Sequence, residues 1–175
     1  MYGGLSLEAR PNWSEIAFRA DNAGMGAAGE SISLRTIELR DAEAVAALTV
    51  QLGYQRSADA VREWIGGLGS RAGTQTAFVA CLDAEVVGWI EVCVERHLQS
   101  EPFALIGGLV VSEVARGNGI GRRLCEAVET WAADCGVSAV RVTSRSTREA
   151  AHRFYRRDGY ADVKTSLVFE KRVSR

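Results

Sequence analysis

The feature that most constrains the fold is a glycine-rich loop between a predicted strand and a strongly periodic helix. The apolar residues from Ile120 to Cys135 recur at helical spacing, so they predict one amphipathic helix, which Gly136 ends. The loop before it runs from Arg116 to Gly121 and holds three glycines. Because glycine lacks a Cβ atom, this backbone can curl and aim several N–H groups at one ligand, beside the positive end of the helix. The pattern predicts a binding site for phosphate oxygens.

Spacing excludes two other phosphate-binding motifs. A P-loop ends in Gly-Lys-Ser/Thr, whereas Gly121 is followed by Arg122. The dinucleotide-binding fingerprint is G-x-G-x-x-G after the first strand, whereas this run is G-x-G-x-G and lies late in the chain. A flexible loop without a ligand remains the structural alternative.

The rest of the chain predicts an α/β (α+β) fold, a mixed sheet with helices on its faces. Ile32 to Thr36 alternate as a first strand, and Asp41 and Ser57 are placed to cap two helices. A strand-helix-strand connection usually returns parallel and right-handed, which makes the sheet mixed. The remaining predicted elements are strands at 76–82, 86–95, 103–111, 138–144 and 165–171, and a helix at 147–157 with Ser146 and Glu149 as a capping box.

Length and composition fit one domain. The chain has 175 residues, of which 47% are hydrophobic and 25% charged, as in an ordinary globular domain with a sizeable core. Residues 1–30 are rich in Gly and Ala and show no sustained period. We therefore expect a poorly ordered leader over 1–30 and one folded domain over 31–175.

Charge and residue types exclude several classes of partner. The net charge is -1 and the pI is about 6.2, so the chain lacks the basic character that nucleic-acid binding requires. No apolar run reaches the roughly 20 residues that span a bilayer, so we expect a cytoplasmic protein without membrane contact. Two histidines, and four cysteines without paired spacing, predict no metal site.

The loop resembles the signature of the GNAT superfamily of N-acetyltransferases, Q/R-x-x-G-x-G/A after the fourth strand. Arg116, Gly119 and Gly121 match it without a gap, and the element order is similar over about residues 31–172. The resemblance implies a sheet of about six to seven strands with about four helices, splayed between the fourth and fifth strands. It also implies acetyl-CoA as the co-substrate. The implied coenzyme contacts are Leu109, Val110, Val111, Arg116, Gly117, Asn118, Gly119, Ile120, Gly121, Arg122 and Arg148.

A second feature that resembles this family is a pair of glycines inside the strand before the loop. Gly107 and Gly108 predict a β-bulge or a close approach by another backbone. Proteins of the resembled family have a bulge there, and the pantetheine arm of the coenzyme pairs with the edge that the splay exposes. By resemblance, Leu109 to Val111 contact that arm, and one backbone N–H polarises the thioester carbonyl. A donor of this type lowers a barrier by about 3 kcal/mol.

A tyrosine on the last predicted helix is similar to the general acid of the family. The segment from Ala151 to Tyr155, followed by Gly159-Tyr160, resembles the family motif that lies along the coenzyme. Acyl transfer expels a thiolate, and a phenol with an ordinary pKa of about 10 can protonate it. Core packing is the alternative role for Tyr155. Arg148 stands where the family often has asparagine, so the motif is not matched throughout.

A base is also required, because an alkyl ammonium has a pKa of about 10 and is not nucleophilic while charged. Residues 88–95 alternate, which places Glu91 on a polar strand face with Trp89 and Glu95. Glu91 is the candidate base, acting through water, and simple exposure to solvent is the alternative. No cysteine is paired with a base, which favours direct transfer in a ternary complex over an acetyl-cysteine intermediate.

The expected activity is N-acetyl transfer from acetyl-CoA to a primary amine of a small molecule, of the aminoglycoside or polyamine type. Two alternatives stay open: acetylation of a protein N-terminus or lysine, and a non-catalytic acyl-CoA-binding sensor module. Exposed edge strands make a homodimer a further expectation.

Overall fold

The computed structural model describes residues 31–173. The leader predicted over residues 1–30 lies outside them. The chain forms two compact units, which divide between Thr143 and Ser144. The first unit holds the sheet and most of the helices, and the second holds the last helix and the segment after it. Each unit is described on its own below.

The first unit is built on one five-stranded sheet, in the order β1-β2-β3-β4-β5. All neighbours in this sheet are antiparallel except β4 and β5, which are parallel. The predicted mixed sheet is therefore confirmed, with fewer strands than the six to seven expected. The strands are β1 Ile32–Thr36, β2 Gln75–Leu82, β3 Glu85–His97, β4 Ser100–Val111 and β5 Val140–Val142.

Four α-helices are present in the described part of the chain, as expected. The Ser57 hydroxyl accepts a hydrogen bond from the Ala60 N–H at 3.2 Å, so this predicted cap is confirmed. Asp41 precedes the first helix, but its side chain makes no capping bond there. Instead its two carboxylate oxygens bind Arg35 at 2.7 Å, which ties the helix start to β1. The helices are α1 Ala42–Val50, α2 Ala58–Gly66, α3 Ile120–Asp134 and α4 Glu149–Arg157.

The sheet buries both faces against helices. One face packs Val79 and Trp89 against the apolar residues of α1 and α2, such as Leu48. Residues of opposite parity, such as Ile90, point to the other face, where α3 lies. Leu124 of α3 is fully buried there. None of the helices in residues 31–173 is long and apolar enough to cross a bilayer.

The predicted bulge is present in β4. Glu91 pairs with Gly108 and Val92 pairs with Ile106, so Gly107 is the extra residue. β5 pairs with β4 only over Ala104–Ile106. Beyond the bulge, the second edge of β4 has no strand partner among the described residues. This geometry agrees with the splay expected between the fourth and fifth strands.

The second unit corrects two predictions. α4 begins at Glu149 with Arg148 in the cap position and without a side-chain capping bond, so the Ser146 capping box is wrong. The predicted last strand at 165–171 is also wrong, since residues 160–173 carry no regular secondary structure. Val168 and Phe169 in that segment are exposed. A strand forms only where a neighbouring backbone pairs with it, and an alternating sequence does not reveal that partner.

Candidate active site

The glycine loop owes its shape to two left-handed residues. Gly117 has φ +88° and Gly119 has φ +74°, a region that residues with a Cβ atom rarely adopt. A Cβ atom at either position would meet no atom of the described residues within 4 Å. Glycine is therefore required here by backbone conformation, and the space beside the loop is open.

The loop delivers backbone N–H groups to that open space. Gly119 is the N-cap of α3, and the N–H of Arg123 donates to the Gly119 carbonyl at 3.1 Å as the first bond of the helix ladder. The backbone N–H groups before Arg123, in the first turn of α3, therefore have no acceptor within the helix. They lie at the positive end of the helix dipole. Ile120 is buried, so only its backbone can serve a ligand. Gly121 follows it in the same turn. This geometry suits an anion.

The side chains of the loop hold its conformation. Arg116 donates from Nε to the Val111 carbonyl at 3.1 Å, and Asn118 donates from Nδ2 to the Ala115 carbonyl at 3.4 Å. The first bond connects the loop to the end of β4, and the second connects it to the 3-10 turn Glu113–Ala115 that follows the strand. Arg122 is exposed and forms an ion pair with Glu126, four residues later on the helix.

The strand before the loop carries the other coenzyme contacts implied by resemblance. Leu109 and Val111 are half-buried, whereas Val110 is only 4% exposed and packs with Trp89 in the core. A ligand at this strand would therefore be contacted mainly by backbone N–H and C=O groups. These residues lie directly between the bulge and the glycine loop.

Glu91 lies against the bulge. A Cβ atom at Gly107 would be 2.7 Å from Glu91 Oε1, so the carboxylate rests on the bulged backbone. Burial raises the pKa of Glu91, and the positive charge of Arg56 partly opposes this. The alternative that Glu91 simply faces solvent is not supported, since its side chain is partly buried.

Trp89 is a residue of this site that the sequence argument noted only as part of a strand face. A Cβ atom at Gly108 would be 2.7 Å from Cη2 of its indole ring. The indole Nε1 is buried and has no hydrogen-bond partner among residues 31–173. The sequence places Trp89 and Glu91 on the same face of β3, which was the one signal that could have indicated Trp89. Its contact with Gly108 depends on the register between β3 and β4.

Cys93 follows Glu91 on the same strand face. Its thiol lies 3.3 Å from Glu95 Oε1, and burial together with this bond raises the pKa of Cys93 to about 11. Such a thiol is almost entirely protonated at neutral pH and is a poor nucleophile.

The second unit presents Tyr155 from α4. Its ring contacts those of Phe154 and Tyr160, with centroid distances of 5.1 Å and 5.5 Å, and the tyrosine is half-buried. His152 Nε2 contacts the Arg145 carbonyl at 3.0 Å, which is a structural contact before the helix. Arg148 lies at the helix start, where its N–H donates to the same carbonyl at 2.9 Å.

The structure brings together the residues predicted in the first unit. Glu91 pairs with Gly108 at the bulge, the implied pantetheine contacts follow, and the glycine loop follows them. Tyr155 and Arg148 belong to the second unit. The roles assigned to all these residues remain predictions.

Comparison with known proteins defines the class. The sequence profile of the Acetyltransferase (GNAT) family matches residues 36–160. Together with the splayed mixed sheet, this identifies an acyltransferase, an N-acetyltransferase that depends on acetyl-CoA. The chain belongs to the GNAT family, as the loop motif implied.

Individual relatives agree with this. Over 135 residues the chain is 31% identical to an aminoglycoside N(6')-acetyltransferase type 1 of Stenotrophomonas maltophilia, covering 73% of this chain and 86% of the relative. It is 35% identical over 83 residues to an aminoalkylphosphonate N-acetyltransferase of Salmonella typhimurium, covering 47% and 54%. A solved aminoglycoside N-acetyltransferase in complex with CoA superposes with a TM-score of 0.74 at 18% identity, covering 85% of this chain and 100% of that one.

Proposed function

We propose that this enzyme transfers the acetyl group of acetyl-CoA directly to a primary amine of a small molecule, of the aminoglycoside or polyamine type. The observation that carries the proposal is the partly buried carboxylate of Glu91 at the β4 bulge, next to the strand that leads into the glycine loop. The names of the two sequence relatives support a small-molecule amine as the acceptor class.

The first step is binding of the coenzyme. The backbone N–H groups from Gly117 to Gly121 hold the pyrophosphate, with the charge of Arg122 nearby. The open space beside Gly117 and Gly119 fits this role, because no side chain of residues 31–173 fills it. The free edge of β4 holds the pantetheine arm by backbone hydrogen bonds. Acetyl-CoA supplies the activated acetyl group and a thiolate leaving group.

Glu91 then receives the proton of the acceptor ammonium through water. Its raised pKa brings the carboxylate closer to the basicity of the amine, which makes proton transfer easier than for an ordinary glutamate. Glu95 lies further along the same strand face and is partly exposed, so this face of β3 is acidic. An acidic surface favours an acceptor that carries several ammonium groups.

The neutral amine attacks the thioester carbonyl, and Tyr155 donates a proton to the leaving thiolate as the C–S bond breaks. The second proton lost by the amine nitrogen then restores the phenol. A phenol with an ordinary pKa of about 10 remains protonated at neutral pH and can act as this acid. A covalent acetyl-cysteine route is disfavoured, since the pKa of Cys93 is about 11 and the neighbouring Glu95 carboxylate, which accepts from the thiol, stabilises its protonated form.

The test is release of free thiol from acetyl-CoA with a panel of amines: an aminoglycoside with a free 6'-amine, a linear polyamine, an aminoalkylphosphonate, and peptides that offer a free N-terminus or a lysine. Coenzyme binding is measured in the same samples by calorimetry. We expect turnover with the polycationic small molecules. Turnover with the peptides alone would contradict the acceptor class, and binding of acetyl-CoA without any turnover would favour a sensor module.

A further inference from the structure

The chain leaves α4 through a defined hydrogen-bonded turn. Asp158 is the C-cap, and Gly159 follows with φ +93°. The Gly159 N–H donates to the Arg156 carbonyl at 3.2 Å, and the Tyr160 N–H donates to the Tyr155 carbonyl at 2.9 Å. These two bonds form a Schellman motif, in which the second residue after the cap returns to the last turn of the helix. Tyr160 is thereby bonded to the residue proposed as the general acid.

The same two residues are also in contact through their rings. The Tyr155 and Tyr160 rings lie edge to face, with centroids 5.5 Å apart and an interplanar angle of 65°. Phe154 contacts Tyr155 from its own helix at 5.1 Å and 67°. Edge-to-face pairs are a favourable aromatic geometry. The Tyr155 ring therefore has an aromatic neighbour within the helix and another beyond its end.

An ion pair holds the segment after the turn. Two nitrogens of the Arg156 guanidinium donate to Oδ2 of Asp162, at 2.7 Å and 3.1 Å. Arg156 lies one residue after Tyr155, and Asp162 lies two residues after Tyr160. The pair joins the last turn of α4 to the segment that follows Tyr160.

We propose that Tyr160 is a positioning residue for Tyr155, holding the phenol ring in the orientation from which it protonates the leaving thiolate. This inference rests on the acid role given to Tyr155 above. A general acid must reach hydrogen-bond distance of the atom it protonates, and a misplacement of about 1 Å can reduce a rate about 100-fold. The left-handed Gly159 is the residue that lets the chain return to this position.

The test is a double-mutant cycle on kcat, with the amine from the panel above that turns over fastest. Tyr160→Leu removes the ring contact and is expected to lower kcat about tenfold, with the KM for acetyl-CoA changed less than about twofold. Tyr160→Phe keeps the ring and retains most of kcat. In a Tyr155→Phe background, Tyr160→Leu lowers kcat by less than about twofold further, because no acid is left to misplace.

The controls separate positioning from folding. Phe169→Leu changes an exposed aromatic of the same unit and is expected to leave kcat unchanged. If Tyr160→Leu does not fold by circular dichroism, Tyr160→Met provides the same loss of the ring. Equal losses of kcat from the Tyr160 change in both backgrounds would show a merely structural role and overturn the inference. If kcat falls in Tyr155→Phe but not in Tyr160→Leu, the positioning role of Tyr160 is wrong and the acid role of Tyr155 stands. If Tyr155→Phe keeps its full kcat, both roles are wrong.

Discussion

The glycine loop and the last helix present chemistry in opposite ways. In the loop the predicted ligand groups are backbone N–H groups, and the left-handed conformation of Gly117 and Gly119 sets their direction. On α4 the predicted group is the side chain of Tyr155, and contacts with Phe154 and Tyr160 set its direction. The first arrangement depends on the absence of side chains and the second on their packing. Substitutions are therefore expected to act on binding in one region and on turnover in the other.

The largest expected effect is loss of coenzyme binding in Gly119→Glu. A residue with a Cβ atom at φ +74° loses about 1–2 kcal/mol in conformational energy, and a negative charge enters a site built for an anion. We expect the Kd for CoA, measured by calorimetry, to rise more than about 100-fold. The matched control is Gly69→Ala, since Gly69 has no left-handed φ and no atom of residues 31–173 lies within 4 Å of its Cβ position. Unchanged affinity in Gly119→Glu would remove the loop from the coenzyme site.

Tyr155→Phe is expected to separate turnover from binding. Loss of a general acid lowers kcat about 100-fold, while the aromatic contacts of the ring are kept and the Kd for CoA stays within about twofold. Steady-state kinetics and calorimetry on the same preparation measure both quantities. A parallel loss of binding and turnover would mean that α4 contributes to the site by packing and would contradict the contrast between the two regions.

The sequence predicted the features whose cause is local. The α3 helix follows from residues such as Leu124 and Trp131 at helical spacing, and the glycine loop from residue types that permit one unusual backbone. The bulge was predicted because two glycines inside a strand have few other reasons to occur. The family and the fold class were confirmed on this basis.

What the sequence missed depends on partners distant in the chain. The strand predicted at 165–171 fails because alternation does not show whether a neighbouring strand is available. The contact of Trp89 with Gly108 depends on the register between β3 and β4, which the bulge shifts by one residue. Ser146 has the residue type of a cap, but the helix begins two residues later than that role needs.

Glu91 on β3 presents a predicted catalytic group in a third way, as a side chain that rests against a backbone bulge. Glu91→Gln tests whether this carboxylate is the base. Burial raises the pKa of Glu91, so the base is lost as pH falls through a value above the usual range of glutamate. We expect kcat/KM to fall about tenfold or more and its acid limb to disappear from the pH profile. An unchanged limb would assign the base to another group.

The same substitution has an expected sign on stability. A carboxyl whose pKa is raised on folding binds more protons in the native state, so the free energy of unfolding falls as pH rises from the usual pKa of glutamate through the raised one. Glu91→Gln carries no charge at any pH and is expected to be more stable than the native protein at pH 7. Denaturant unfolding at pH 5 and pH 7 measures this, and a less stable variant at pH 7 would contradict the direction of the shift.

The smallest effects come from the two glycines of the bulge, and they should differ. A Cβ atom at Gly107 meets the end of the flexible Glu91 side chain at 2.7 Å, so the carboxylate can move aside at little cost. A Cβ atom at Gly108 meets the rigid indole of Trp89 at 2.7 Å and 2.9 Å, where overpacking costs about 1–3 kcal/mol. Gly107→Ala is expected to lower kcat several-fold with little change in Tm, because it displaces the base. Gly108→Ala is expected to lower Tm by about 2–12 °C, since a domain of this size loses about 2–4 °C per kcal/mol. In a Trp89→Leu background, Gly108→Ala should lower Tm by less than it does in the native background, since the shorter side chain makes room. Equal losses of Tm in both backgrounds would show that the indole is not what excludes a side chain at position 108.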